Sequence, residues 1–130
     1  MNNLSKIKLR MELKDWITSI SQTIDAKDGK AFADFISEDG EFRFGNADVV
    51  KGRKAIADYV DYFFTMIKGS QHKIINAWKN DDKIIWQGQV KYTRLDEKQV
   101  DFNFVNIFYM DGDLIKEYLI YIDNTPLFAE

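Results

Sequence analysis

Residues 100–122, VDFNFVNIFYMDGDLIKEYLIYI, decide the fold. Val100, Phe102, Phe104, Asn106 and Phe108 fall on one side of an extended chain, and Asp101, Asn103, Val105, Ile107 and Tyr109 on the other. That period of two is the signature of a strand with one buried face. Asp111-Gly112 is a hairpin signal, because glycine accepts the positive φ of a tight reversal. The chain then returns through Leu114 to Ile122, with Tyr118, Ile120 and Ile122 on one side and Leu119 and Tyr121 on the other. Pro126 is expected to end the regular structure.

The same alternation extends upstream. Between Lys83 and Arg94, one face carries Ile84, Trp86, Gly88, Val90 and Tyr92, and the other Gln87, Gln89, Lys91 and Thr93. Gly88 marks a bend or bulge. The segment from Gln71 to Lys79 is predicted to place His72, Ile74, Asn76 and Trp78 on one face, with Asn80-Asp81-Asp82 reversing the chain. The pattern before this is helical. Leu9, Leu13, Trp16, Ile17, Ile20 and Ile24 recur at the spacing of an amphipathic helix. Asp28 caps a short second helix, whose apolar face is Phe32, Phe35 and Ile36 and which Asp39-Gly40 stops. Glu41–Phe44 reads as a short strand. Ile56, Tyr59, Val60, Phe63 and Ile67 trace a third helix, from Gly52-Arg53 to a left-handed stop at Gly69. Helices followed by hairpinned strands predict an α+β fold in which three helices cover a curved antiparallel sheet.

The 130 residues suit one hydrophobic core. A single domain over residues 1–130 is expected, with residues 1–8 an extended or flexible N-terminus. Its 45% hydrophobic and 30% charged residues are the balance of a soluble globular protein. A net charge of −3 and a pI near 5.2 argue against nucleic acid, since that partner needs excess Lys and Arg. The basic cluster Lys6, Lys8, Arg10 reads as part of a solvated extension. With no cysteine there is no disulfide, thiol nucleophile or thiolate metal site. No apolar run is long enough to span a bilayer, and cytoplasmic residence is the default expectation.

Three segments carry a family resemblance: 24–28 (IDAKD) with 35–42 (FISEDGEF), 51–56 (KGRKAI), and 105–115 (VNIFYMDGDLI) with Tyr121-Ile122-Asp123. In their order and spacing the chain resembles the nuclear transport factor 2-like superfamily, in its SnoaL-like and ketosteroid isomerase-like branch. The resemblance implies a cone-shaped α+β roll whose interior serves isomerases, dehydratases, cyclases, epoxide hydrolases or non-catalytic binding modules. It also implies a departure from steroid-isomerase chemistry. The aspartate base of that branch falls on Phe44, its tyrosine on Ile20 and its oxyanion-hole acid on Asn106, and phenylalanine cannot shuttle a proton.

His72, the sole histidine, is the acid/base candidate because its ordinary pKa is near neutrality. Asn106 can orient a carbonyl or enolate oxygen, and Tyr118 can donate a hydrogen bond. Each has a plainer reading, as a structural hydrogen bond at the pocket edge or in the core. Trp16, Phe35, Tyr59, Phe63, Trp86 and Phe104 are candidate ligand-binding residues, with Phe102 in reserve, though most are expected simply to pack. Asp123 is a further acidic candidate by resemblance. The pairs Glu38-Asp39, Asp81-Asp82 and Asp96-Glu97 are assigned to turns and discarded as dyads. One histidine without cysteine leaves too few ligands for a transition metal, and no cofactor is implied.

These readings point to an apolar pocket for a small hydrophobic or polyketide-like molecule, serving a cofactor-free isomerase, dehydratase or cyclase that works by proton transfer. The alternative is a non-catalytic ligand-binding or protein-association domain. The half-apolar outer sheet face, with Val105, Ile107, Tyr109, Leu119 and Tyr121, predicts a homodimer. Neither nucleic acid nor membrane is expected as a partner.

Overall fold

The alternating half of the chain forms four long strands: β3 (Ile67–Asn80), β4 (Lys83–Arg94), β5 (Gln99–Asp111) and β6 (Leu114–Tyr121). In this computed structural model residues 3–129 are described, apart from the side chains of residues 3, 5–8 and 10. Helices α1 (Asn3–Asp25), α2 (Gly29–Ala33) and α3 (Arg53–Phe64), with strands β1 (Ile36–Phe44) and β2 (Val50–Lys51), precede the long strands. The sheet order is β2-β1-β6-β5-β4-β3. This is a curved sheet covered by helices, a cone-shaped α+β roll. It is not wholly antiparallel, because β1 runs parallel to β6, with Phe42 beside Tyr118 and Phe44 beside Ile120.

Burial on β4 and β5 follows the predicted alternation throughout. Ile84, Trp86, Val90, Tyr92, Phe102, Phe104, Asn106 and Phe108 are buried, and meet Ile17 and Ile20 of α1, Phe32 of α2, and Ile56, Val60 and Phe64 of α3. Strand β3 departs from the prediction. A register shift between Ile74 and Asn76 puts an extra residue opposite β4, and a bulge of this kind turns the following side chains over. His72 and Ile74 face the helices, whereas Ala77 is buried in place of Trp78, which is 45% exposed. The bulge predicted at Gly88 thus lies on the neighbouring strand. Gly88 itself admits close contact: a Cβ there would sit 2.5 Å from Phe104 and 2.6 Å from the Lys73 carbonyl.

Three helix boundaries, and the expected stop at Pro126, also differ from the sequence reading. α1 begins at Asn3, so the extension expected over residues 1–8 is helical from that point; residues 1–2 and the side chains of Lys6, Lys8 and Arg10 lie outside the described residues. α2 is capped by Asp28 as predicted, its carboxylate accepting from the Ala31 N–H at 3.0 Å, but it stops at Ala33. Ile36 belongs to β1, opposite Ile115, and its carbonyl accepts from Arg53 Nε at 2.7 Å. Glu38-Asp39 therefore lies in a strand, exposed, and not in a turn. α3 ends at Phe64, so Ile67 and Gly69 are the start of β3. Pro126 sits inside a 3-10 turn, Thr125–Leu127, that buries Leu127. No described helix is long and apolar enough to cross a membrane.

Candidate functional site

The helices and the concave sheet face enclose a cavity of about 40 Å³. Its wall is Ile24 of α1, Phe32 of α2, Phe42 and Phe44 of β1, Tyr59, Val60, Phe63 and Phe64 of α3, and His72, Val90, Tyr92, Phe104, Asn106, Tyr118, Ile120 and Ile122 from the sheet side. The volume admits water or a small group, and the aromatic wall accounts for the tight fit. Of the predicted site residues, His72, Asn106, Tyr118, Tyr59, Phe63 and Phe104 meet at this wall. Trp16, Phe35 and Trp86 do not. Trp16 packs edge-on to Phe35 and Phe108 at 6.0 and 5.4 Å, while Trp86 lies behind Phe104 at 4.9 Å. Phe102 packs against Tyr92 at 5.7 Å.

One functional side chain escaped the sequence reading: Asp25, on the last residue of α1. The chain leaves that helix through Lys27, at φ 56°, with the Asp28 N–H returning to the Thr23 carbonyl at 2.9 Å. This left-handed exit satisfies a carbonyl of the last turn. Lys27 Nζ then donates to the Ile67 carbonyl at 2.7 Å, fixing the helix end against β3. Asp25 consequently reaches β3. Its Oδ1 lies 2.6 Å from His72 Nδ1 and accepts from Ser70 Oγ at 2.8 Å, and its Oδ2 accepts from the His72 backbone N–H at 3.0 Å.

Burial pushes the Asp25 carboxyl up, but the bonds and charge of His72, with the Ser70 hydroxyl, outweigh it and hold the group below the ordinary carboxylate range. Facing an ionised Asp25, Nδ1 carries a proton and donates it to the carboxylate, so Nε2 is the ring nitrogen turned away from Asp25. The imidazole is further located by Trp86 at 5.7 Å and Phe104 at 5.8 Å, ring centre to ring centre. Position and tautomer are both set by the protein.

Deeper in the wall, Asn106 Nδ2 donates to the Tyr118 hydroxyl at 3.2 Å. Asn106 Oδ1 and Trp86 Nε1 are buried with no hydrogen-bond partner among the described residues, and the two residues face one another across β4 and β5. Complete burial first, and neighbouring Tyr92 second, push the Tyr118 phenol far above its usual range against the opposing effect of Asn106. Tyr118 is therefore a neutral hydrogen-bond donor. Tyr92 is likewise pushed up, by burial and then by the Asp25 charge. Asp123 takes no part in the cavity. It is exposed, and its carboxylate accepts from the Thr125 N–H and hydroxyl at 3.1 and 2.7 Å, which hold it below the ordinary range. Phe44, which the family resemblance sets at the base position, lines the cavity, whereas Ile20 is core. No cluster of metal-ligating side chains occurs among the described residues.

A model of the SnoaL-like domain family matches residues 17–118. Among solved structures, the chain is similar to a Catenulispora acidiphila hypothetical protein with a ketosteroid isomerase-like fold in complex with trimethylamine (TM-score 0.75, 14% identity, 81% of this chain and 82% of that one). It is similar to a candidate SnoaL-like polyketide cyclase from Jannaschia sp. (TM-score 0.70, 13% identity, 85% and 87% covered). A third similar structure is an LEH-like epoxide hydrolase from M. tuberculosis (TM-score 0.74, 13% identity, 92% and 88% covered). At these identities the likeness is one of fold. No curated protein matches the sequence.

Proposed function

Because this chain belongs to the SnoaL-like domain family, whose fold leaves the reaction open, we propose from its own residues that it catalyses proton transfer on a small apolar carbonyl compound. The observation that carries this reading is the 2.6 Å contact between Asp25 and His72 Nδ1. A carboxylate there orients the imidazole and stabilises the imidazolium that forms when the ring takes a proton. Nε2 removes a proton from the carbon next to the carbonyl, and the electron pair moves onto oxygen as an enolate. The Tyr118 hydroxyl donates to that oxygen, since its own oxygen already accepts from Asn106. The imidazolium returns the proton to another carbon in an isomerisation, to the new alkoxide oxygen when the enolate carbon attacks a second carbonyl in a ring closure, or to a departing hydroxyl in a dehydration. No cofactor enters these steps. The likeness to a candidate polyketide cyclase and an epoxide hydrolase is compatible with this class.

The test is deuterium exchange next to the carbonyl of small cyclic ketones in D2O, followed by proton NMR. The protein is expected to accelerate exchange, with a loss of about 10²–10⁴-fold in His72→Gln. Equal exchange by the two proteins would overturn the assignment. The narrow cavity, about 40 Å³, favours a second reading as a non-catalytic small-ligand-binding or association domain. Ketone binding without exchange would select it.

The outer sheet face supports a homodimer as part of the same proposal. Ile75 (46%), Trp78 (45%) and Tyr121 (56%) are exposed there, around half-buried Val105, Ile107 and Leu119. Gln89 Nε2 donates to Asn103 Oδ1 at 3.0 Å between them. A second copy laid against this face covers an apolar patch of a kind monomers seldom expose. Sedimentation should show a dimer that Tyr121→Glu dissociates, and a monomeric protein at high concentration would exclude it.

A further inference from the structure

A second hollow adjoins the cavity from outside. This groove, of about 290 Å³, lies between α3, the loop after β1 and the 3-10 turn. It shares Phe44, Tyr59 and Phe63 with the cavity wall. Phe44 and Phe63, ring centres 5.2 Å apart and tilted by 42°, are therefore a partition with the small cavity on one side and the groove on the other. On the groove side stand Tyr62, Met66 and Phe128, exposed by 68%, 36% and 49%. Single exposed apolar side chains are ordinary, but several lining one hollow mark a binding surface. Methionine among them suits an adaptable wall. Among the described residues no charged side chain lines this groove, whereas the hollow between α2 and α3 is lined with Lys30, Asp34, Glu38 and Arg53.

We propose that the groove binds the uncharged apolar tail of the substrate while its carbonyl head occupies the cavity beside His72, the Phe44 and Phe63 rings, which touch at 5.2 Å, swinging apart to admit it. This rests on the reading of the cavity as a carbonyl site. It is argued from the shared walls and from volume, because about 40 Å³ receives a reacting head but no larger skeleton. The substrate class is then an amphiphilic ketone or enone with an alkyl or ring extension. An acidic tail is disfavoured, since the described lining residues of the groove include no cation.

The test is an NMR titration of the full chain with 2-butanone, 2-hexanone, 2-octanone and 2-decanone. Amide shifts of His72 and Asn106 follow the head, and the Met66 methyl follows the tail. Affinity is expected to rise about three- to fourfold per added methylene, with the Met66 signal moving only for the longer ketones. Phe128→Asp, or the more exposed Tyr62→Asp, should weaken 2-decanone at least tenfold more than it weakens 2-butanone. If 2-butanone binds at His72 and chain length brings no gain, the groove is overturned while the carbonyl site stands. If long ketones move Met66 but not His72, the groove is a separate surface site and the continuous path is wrong. If no ketone binds, both readings fall.

Discussion

Two polar clusters occupy the inner face of the sheet, and they differ in how completely their hydrogen bonds are met. At the rim, Asp25 takes three donors from Ser70 and His72. In the depth, Asn106 and Tyr118 share one bond, while Asn106 Oδ1 and Trp86 Nε1 have none among the described residues. A buried polar group without a partner costs about 1–3 kcal/mol, whereas a charge-assisted bond is a net gain. The rim cluster therefore holds the fold and fixes one histidine tautomer. The deep cluster leaves two buried polar atoms that no described residue satisfies, and water or a ligand can supply their partners.

Asp25→Ala should produce the largest effect, about 2–4 kcal/mol lower stability in urea unfolding, because it strands three donors at once. A loss below about 1 kcal/mol would show that the rim cluster does not hold the fold. Gly88→Ala comes next, at about 1–3 kcal/mol, since its methyl group would press on Phe104 and on the Lys73 carbonyl between the two clusters. Wild-type stability there would mean that Phe104 yields freely. Asn106→Leu should change stability by less than about 1 kcal/mol, the lost bond to Tyr118 being offset by removal of an unpartnered amide oxygen. A cost as large as that of Asp25→Ala would show the deep cluster to be fully satisfied, through bound water, and would erase the contrast.

The smallest effect concerns pH. Asp25 has a lowered folded-state pKa, so the unfolded chain takes up its proton first as pH falls. Its stabilising contribution is complete above the unfolded carboxyl value of about 4 and is lost as pH drops through the folded value. The difference in melting temperature between wild type and Asp25→Asn should accordingly narrow below about pH 4. A constant difference would show that the Asp25 pKa is the same in the folded and unfolded chains.

The sheet was legible where its period ran unbroken. β4 and β5 face each other without a register shift, so alternation alone identified Asn106, Phe104 and Trp86 as inward. β3 defeats that logic at Ile75, where the bulge sends Trp78 outward; nothing local in the sequence announces an extra residue. Phe32, Phe35 and Ile36 have helical spacing, yet the pairing of Ile36 with Ile115 wins, a tertiary choice that periodicity cannot see. Asp25 was missed because the first helix reads by its apolar stripe, and its partner lies 47 positions away. One signal was present. A carboxylate in the final turn opposes the negative end of the helix dipole, so its place there calls for a compensating donor.

The parallel seam between β1 and β6 has a consequence for the order of assembly. As the polypeptide leaves the ribosome, β1 and all three helices emerge well before the strand that β1 must lie against. Contacts that join distant parts of a chain form late, and until then the edge at Phe42 and Phe44 stays bare and open to wrong partners. The side of the chamber opposite His72 is thus completed last, which makes β6 the step at which a nascent chain commits to a closed interior.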